Sequence, residues 1–431
     1  MRGRAEPSSC PTAGRARRTR QEAGLRAGVP LDPDNERHLT GLVLTGGGAR
    51  AAYQVGVLKA VGRLLADHTP GRVVTNPFDV ICGTSAGAIN AAALACGAEN
   101  PRSALRRMLA IWLNLETDQI YRSDSLGVMR TGARWLSTLS FGWMLARMRR
   151  DRPRSFLDNE PLGELLEQIM DFEQLERNLD DGVLHAVAVT ASGYTSGRHL
   201  TFYQSSREIA PWQRSLRQAV RERITNDHLL ASSAIPFIFP ARRLAVGDYV
   251  EWCGDGAMRQ LAPLSPAIHL GASRILIVGT GRSYENPPVE RDAGYPSLAQ
   301  IAGHTLSNMF LDSVAADCEQ VQRINVAAER LTPELQNHLN IRPIRVLPIT
   351  PSRNLDEIAS RHVNELPSTM RALLGALGVS SRPGHTRGAG LVSYLLFEQG
   401  YTRELIDLGW QDTLSRADEV CEFFGLSTHA A

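Results

Sequence analysis

Residues 78–94 read FDVICGTSAGAINAAAL, and this stretch decides the fold. It begins with an apolar run of strand length and ends in alanine-rich sequence that favours a helix. Between them Gly83-Thr84-Ser85-Ala86-Gly87 forms a G-x-S-x-G pattern, in which the glycines let neighbouring elements approach while the serine projects from a tight turn. The pattern predicts a strand, a sharp turn and a helix that present Ser85 as a nucleophile. A chance match in a chain rich in glycine and alanine is the alternative.

A second unit of the same kind precedes the first. Residues 39–45 are an apolar run that Gly46-Gly47-Gly48 stops, and Ala49 to Ala66 has apolar residues at helical spacing. Two strand–helix units in succession predict an α/β fold with a mainly parallel sheet and crossover helices. Further strands are predicted at residues 184–191, 235–239, 249–253 and 274–278, with helices at roughly 101–178 and through most of the chain beyond 282.

Composition narrows the class of protein. The 431 residues are 43% hydrophobic and 21% charged with a net charge of +2, which fits a globular chain and does not favour nucleic-acid binding. The six cysteines are dispersed without metal-ligand spacing, so we expect neither a zinc site nor a disulfide framework. No metal and no cofactor are predicted.

The N-terminal residues 1–37 combine Pro, Gly, Ser and arginines with few large apolar side chains. Such a composition cannot bury enough surface to offset chain entropy, so this segment is predicted to be a disordered basic tail. No apolar export signal follows its arginines, and no apolar run reaches the length of a membrane span. The sequence therefore predicts a cytoplasmic protein.

Residues 126–154 form a basic amphipathic stretch. Seven arginines and one acid, Asp151, are interleaved there with apolar side chains that include Trp135 and Trp143. This pattern suits peripheral contact with an anionic membrane, where apolar groups enter the interface and arginines meet phosphates. The stretch is then a lid or a membrane-docking element. A cap helix packed on the core with solvated arginines is the alternative.

Two further glycine-centred sites accompany Ser85. Gly46, Gly47 and Gly48 end a strand and open a helix, where converging N–H groups and the helix dipole favour negative charge, as in an oxyanion hole. A dinucleotide loop is the competing interpretation, but Ala51 replaces its last glycine. Downstream, Asp255-Gly256-Ala257 is either a turn or the position of a catalytic carboxylate.

Together these ordered motifs resemble the patatin-like phospholipase family over roughly residues 40 to 280. The segments 231–237 and 263–267 also look like those that flank the family's aspartate, and residues 391–398 are similar to extensions on bacterial members. Two departures are Ala51, where the family often has glycine, and Thr45, where plant members carry aspartate. The resemblance implies a three-layer α/β/α sandwich over residues 38–281, followed by a mostly helical C-terminal region, 282–431.

Carried over by position, the resemblance makes Ser85 the nucleophile and Asp255 its base. The oxyanion loop is then Gly46, Gly47 and Gly48, with Arg50 neutralising charge there. The remaining motif positions are those of the elbow and of the aspartate turn: Gly83, Gly87, Gly256 and Ala257.

The implied function is hydrolysis of lipid carboxyl esters, as a phospholipase A or lysophospholipase. A triacylglycerol lipase or acyltransferase is the alternative within enzymes, and a catalytically silent lipid-binding module is the alternative of another class. A histidine triad that uses His269 or His304 is the mechanistic rival to the Ser85–Asp255 dyad. The oligomeric state is not predicted by the sequence.

Overall fold

The computed structural model describes residues 38–69, 75–123, 155–281, 295–310, 312–339, 341–380 and 388–426. The predicted basic tail, 1–37, and the amphipathic stretch, 126–154, lie outside these residues.

A mixed sheet of ten strands, five of them a parallel block, forms the centre of the described chain. The strands are β1 (Thr40–Leu44), β2 (Val80–Thr84), β3 (Ala186–Gly193), β4 (His199–Ser205), β5 (Gln213–Arg214), β6 (Arg217–Arg221), β7 (Arg242–Val246), β8 (Tyr249–Asp255), β9 (Arg274–Val278) and β10 (Arg345–Ile349). Their main order is β10-β9-β1-β2-β3-β4-β6-β5, and the β7–β8 hairpin joins through β8 to β3. The block from β10 to β3 is parallel, whereas β4 and β8 both run antiparallel to β3.

Helices cover both faces of this sheet. They are α1 (Ala52–His68), α2 (Ala86–Cys96), α3 (Pro101–Leu113), α4 (Glu160–Ile169), α5 (Phe172–Asp180), α6 (Asn226–Ser232), α7 (Ser265–His269), α8 (Leu298–Phe310), α9 (Asp312–Ala328), α10 (Pro333–Leu339), α11 (Leu355–His362), α12 (Ser368–Ala376), α13 (Ala389–Leu395), α14 (Gln399–Leu414) and α15 (Ala417–Phe423). Short 3₁₀ turns at Gly48–Ala51 and Gly256–Arg259 lie at the ends of β1 and β8.

Successive side chains along each strand point to opposite faces of the sheet, and this divides the core into two layers. Leu42 and Leu44 of β1 belong to the larger apolar cluster, with α1, α2 and the C-terminal helices, while Val43 points into a second cluster with α7 and α9. Strands buried on both faces read as continuous apolar runs, which is why β1, β2 and β9 could be recognised in the sequence. The predicted three-layer α/β sandwich with a mostly parallel sheet and a mostly helical C-terminal region is confirmed.

One predicted strand is wrong. Residues 235–239 form turns rather than a strand, and Phe237 has a φ of 66°. The segment is apolar because Ile235 and Phe239 face a cavity, not because it enters the sheet.

Candidate active site

Ser85 occupies a sharp turn between β2 and α2. Its φ of 56° and ψ of −133° are strained for a residue with a side chain, a cost of roughly 1–3 kcal/mol that the surroundings must offset. The flanking glycines permit this turn. A Cβ at Gly83 would lie 2.5 Å from the Ala88 Cα, and one at Gly87 would overlap the carbonyl oxygens of Leu44 and Thr45. The predicted elbow glycines are therefore required by the close approach of α2 to the ends of β1 and β2.

A buried serine on a neighbouring helix secures the elbow. The Ser85 amide donates to the Ser232 hydroxyl oxygen at 2.8 Å, and Ser232 on α6 is fully buried. Ser232 lies in the segment 231–237 that carried part of the sequence resemblance, yet nothing in the sequence assigned it this contact. The sequence motifs do not identify this residue.

Asp255 reaches Ser85 because of strand register. Thr84 pairs with Thr190 across β2 and β3, and Ala191, the next residue, pairs with Asp255 at the end of β8. The two motifs, which are 170 residues apart, thus meet where β2 and β8 end. The Ser85 hydroxyl donates to Asp255 Oδ2 at 2.6 Å, and the Ala257 amide donates to Asp255 Oδ1 at 2.9 Å.

The Asp-Gly turn and the carboxylate position are compatible. Asp255 caps the 3₁₀ turn Gly256–Arg259 through the bond from Ala257. A Cβ at Gly256 would lie 2.5 Å from both the carbonyl and the hydroxyl oxygen of Thr190, so a glycine is needed there. The turn therefore holds the carboxylate against β3 with one oxygen directed at Ser85.

Burial dominates the electrostatics of the pair. Ser85 is 1% exposed and Asp255 is 0% exposed. Burial raises the pKa of Asp255 to about 7, although the hydrogen bonds from Ser85 and from the Ala257 amide lower it. A carboxylate with such a pKa is a far better proton acceptor than an aspartate in water.

The glycine loop follows β1 and is tightly enclosed. A Cβ at Gly47 would overlap the Thr280 side chain, and Gly48 combines a φ of 55° with close approach to the Tyr394 carbonyl. No backbone hydrogen bond within the described residues uses the amide of Gly46 or Gly47. Gly48 is the first residue of a 3₁₀ turn, where N–H groups have no partner inside the turn. The loop thus has amide groups to offer an anion.

Arg50 is buried and paired. Its guanidinium lies 2.5 Å from the Asp356 carboxylate and also donates to the Ser393 hydroxyl. Burial lowers the pKa of Arg50, but the nearby Tyr394 and Asp356 raise it by more than burial lowers it. The pKa of Arg50 therefore lies above its ordinary value. Charge neutralisation at the oxyanion loop stays a prediction for this residue, and neither partner was identified from the sequence.

An apolar cavity of about 60 Å³ lies beside Ser85 and Gly48. Its wall is almost entirely hydrocarbon and combines residues of the strand–helix units with Phe397 from the C-terminal region. The side chains that form most of it are Ile89, Ile111, Trp112, Leu162, Leu166, Ile235, Phe239 and Phe397. Such a surface suits an alkyl chain and not a polar group.

The two histidines of the rival triad lie elsewhere. His269 on α7 stacks on Trp212 at a centroid distance of 4.7 Å, and burial lowers its pKa to about 4. His304 is exposed on α8 and contacts Asn308. In the described part of the chain, neither histidine is hydrogen-bonded to Ser85 or Asp255.

The patatin-like phospholipase family model matches residues 42–268, more than half of the 431 residues, and this range contains the elbow, the glycine loop and Asp255. The chain belongs to the patatin-like phospholipase family. It is therefore a lipid acyl hydrolase, with the fold and motifs of that family. Comparison with curated proteins gave no match.

Solved structures of a human phospholipase and of two bacterial proteins are distantly similar. Human GIVD cytosolic phospholipase A2, bound to a fluorophosphonate inhibitor, is 12% identical, with 92% of this chain and 60% of that chain covered at a TM-score of 0.41. VipD from Legionella pneumophila is 14% identical, with coverages of 86% and 67% and a TM-score of 0.29. ExoU from Pseudomonas aeruginosa, in its complex with SpcU, is 15% identical, with coverages of 82% and 70% and a TM-score of 0.24.

Two features are absent from the described ranges. No group of three His, Cys, Asp or Glu side chains there is arranged to hold a metal ion. None of the helices that the structure describes is both long and apolar enough to cross a membrane.

Proposed function

We propose that the protein cleaves carboxyl esters of phospholipids or lysophospholipids through an acyl-enzyme on Ser85, with Asp255 as the base. The observation that carries this proposal is the 2.6 Å hydrogen bond from the Ser85 hydroxyl to a fully buried carboxylate. Ser85 Oγ attacks the ester carbonyl while its proton moves to Asp255. Collapse of the tetrahedral intermediate releases the alcohol, which takes the proton from Asp255. Water then hydrolyses the acyl-enzyme by the same route.

The glycine loop is proposed as the oxyanion hole. Gly48 lines the same cavity as Ser85, and the amides of Gly46 and Gly47 beside it make no backbone hydrogen bond in the described residues. In a comparable hydrolase, loss of one oxyanion donor costs about 3 kcal/mol of transition-state stabilisation. The apolar cavity beside the loop is proposed to receive the acyl chain, which leaves the head group toward solvent.

Segment 126–154 is proposed, from its sequence alone, to contact an anionic membrane at the periphery of the protein. Replacing its arginines by glutamates should abolish co-sedimentation with vesicles that contain phosphatidylserine, because attraction to the lipid phosphates is lost. An Arg→Lys series at the same positions is the matched control and should retain binding. Unchanged binding of the glutamate variant would contradict the proposed contact.

A fluorophosphonate probe tests the nucleophile. We expect labelling of the wild-type chain, none of Ser85→Ala, and greatly slowed labelling of Asp255→Asn. Ser360→Ala removes another buried hydroxyl, on α11, and should be labelled like the wild type. Absence of labelling in the folded wild type would instead favour a catalytically silent lipid-binding module.

Mass spectrometry of the lipid products separates the remaining enzyme alternatives. Free fatty acid and lysophospholipid from a phospholipid are expected. Release mainly from triacylglycerol would indicate a lipase, and transfer of the acyl group to an added alcohol or lysolipid would indicate an acyltransferase.

A further inference from the structure

Arg50 carries a buried charge whose partners all come from the C-terminal region, outside the family match at 42–268. Its side chain is 3% exposed. Asp356 on α11 lies 306 residues further along the chain, and Ser393 on α13 lies 343 residues further. An arginine of the glycine loop therefore depends on residues that no local motif specifies.

Hydrogen bonds, an ion pair and an aromatic ring hold the guanidinium of Arg50. Arg50 Nε and Nη2 donate to Ser393 Oγ at 2.9 and 2.6 Å, and Nη2 donates to Asp356 Oδ1 at 2.5 Å. The Ser393 hydroxyl lies 2.9 Å from the same Asp356 oxygen, to which it can donate. The Tyr394 ring covers the guanidinium, with Cζ 4.0 Å from the ring centroid. Charge, hydrogen bonds and a cation–π contact thus fix its position together.

This arrangement reaches the glycine loop directly. The Arg50 amide donates to the Gly47 carbonyl at 3.1 Å, within the 3₁₀ turn that begins at Gly48. The backbone carbonyl of Tyr394 lies against Gly48, where a Cβ would overlap it. A shift of Arg50 or of residues 393–394 would therefore turn the amides of Gly47 and Gly48.

We propose that Asp356 and Ser393 are positioning residues that orient the oxyanion loop through Arg50. This inference rests on the proposed function, since it assumes that the loop stabilises an oxyanion. Preorganised donors act on charge that develops in the transition state, so misdirected amides lower kcat more than they weaken substrate binding. In the described residues, neither Ser85 nor Asp255 is hydrogen-bonded to Asp356 or Ser393, so the proton transfer between Ser85 and Asp255 should keep its pH dependence.

The test measures kcat, KM and pH profiles of Asp356→Asn and Ser393→Ala with a soluble ester. We expect kcat to fall roughly 10- to 100-fold, with KM and the acidic limb of the profile unchanged. Asp356→Glu retains the charge and should recover part of the loss. The double variant Asp356→Asn/Ser393→Ala should have a kcat little lower than that of Asp356→Asn alone, because both changes act through Arg50.

Glu404→Gln is the matched control. Glu404 pairs with Arg361 and His362 in the same C-terminal helices but has no contact with the glycine loop in the described residues. It should leave kcat unchanged. Should Asp356→Asn fail to fold, Ser393→Ala, which removes a single hydroxyl, carries the test.

Wild-type kcat in folded Ser393→Ala and Asp356→Asn would overturn the inference. So would a loss of kcat with Glu404→Gln that equals theirs, since it would indicate general destabilisation. Failure of the wild type to react with the fluorophosphonate would contradict the proposed function itself, which keeps the two failures distinct.

Discussion

At the scale of single residues, the proposed role of the buried Asp255 carboxylate as the base predicts how activity depends on pH. Its pKa of about 7 places half of the molecules in the protonated form near neutrality, and a protonated Asp255 cannot accept the Ser85 proton. We expect kcat/KM for a soluble ester to rise from pH 5.5 to pH 8 with a midpoint at about 7. A stopped assay across this range, on protein checked for folding at each pH, measures it. A rate that is constant between pH 5.5 and 8 would contradict the assignment of Asp255 as base.

The same burial predicts that the reactive carboxylate destabilises the fold. The pKa of Asp255 is raised from 3.8 in the unfolded chain to about 7, so its favourable contribution exists at low pH and is lost as the pH rises to about 7. Asp255→Asn does not titrate. Its stability relative to the wild type should therefore increase between pH 4 and pH 7, by on the order of 4 kcal/mol, and stay constant above.

Thermal melts of the two proteins at several pH values, alongside activity, check this. The variant should melt at a higher temperature than the wild type at pH 8 while it is inactive. A difference in melting temperature that does not vary with pH would show that Asp255 titrates normally.

At the scale of elements, Gly48 tests how tightly the 3₁₀ turn packs on α13. Gly48 and Gly182 both have positive φ, 55° and 70°, but only Gly48 has a neighbour, the Tyr394 carbonyl, where a Cβ would be placed. Gly182→Ala should cost about 1–2 kcal/mol of stability and leave activity unchanged. Gly48→Ala should cost more stability and reduce kcat by about 100-fold or more.

Paired melts and ester assays of these two variants measure the difference. The cost of the positive φ is common to both substitutions. Any additional loss of stability with Gly48→Ala therefore reports the contact with Tyr394. Equal effects of the two substitutions on stability and activity would contradict the close packing of the loop.

The sequence predicts some strands of the sheet and not others. The buried parallel strands β1, β2 and β9 appear as apolar runs, so their positions were predicted closely. Strand β10 was missed because Pro348 interrupts its pattern; a proline is tolerated there since β10 lies at the edge of the sheet. Residues 235–239 resemble a strand in sequence because apolar side chains of this segment line the cavity, a role that periodicity cannot distinguish from burial in a sheet.

The candidate site likewise contains residues that the sequence identifies and residues that it does not. Ser85, Asp255 and the glycines are marked by local backbone requirements, since each sits in a turn that only certain residues permit. The partners of Arg50 have no such mark: Asp356 and Ser393 lie on ordinary helices and act through contacts more than 300 residues away in sequence. Only the assembled fold brings them to the loop.

At the scale of the whole molecule, the C-terminal region packs as part of the core. Helix α14 crosses α1 so closely that a Cβ at Gly56 would overlap the carbonyl of Ile406, and one at Gly409 the carbonyl of Tyr53. Strand β10 pairs with β9 in the sheet. A chain cut to residues 38–281 would expose this face of α1 and the edge of β9, so we expect it to aggregate.

Expression of residues 38–281 beside residues 38–426 measures this. The longer chain retains every described element and should elute as a defined species with a cooperative melt. A soluble 38–281 fragment with a cooperative melt would show that the region matched by the family folds independently.

The position of β1 has a consequence for how the chain folds during synthesis. This strand lies between β2, which follows it closely, and β9, and the contact of Thr45 with Val278 spans 233 residues. Until the ribosome has released β9, one edge of β1 has no partner and its apolar residues are available to other chains. Loop closure over such a separation slows folding, so we expect the nascent chain to stay open to aggregation for longer than a chain whose sheet forms in sequence order.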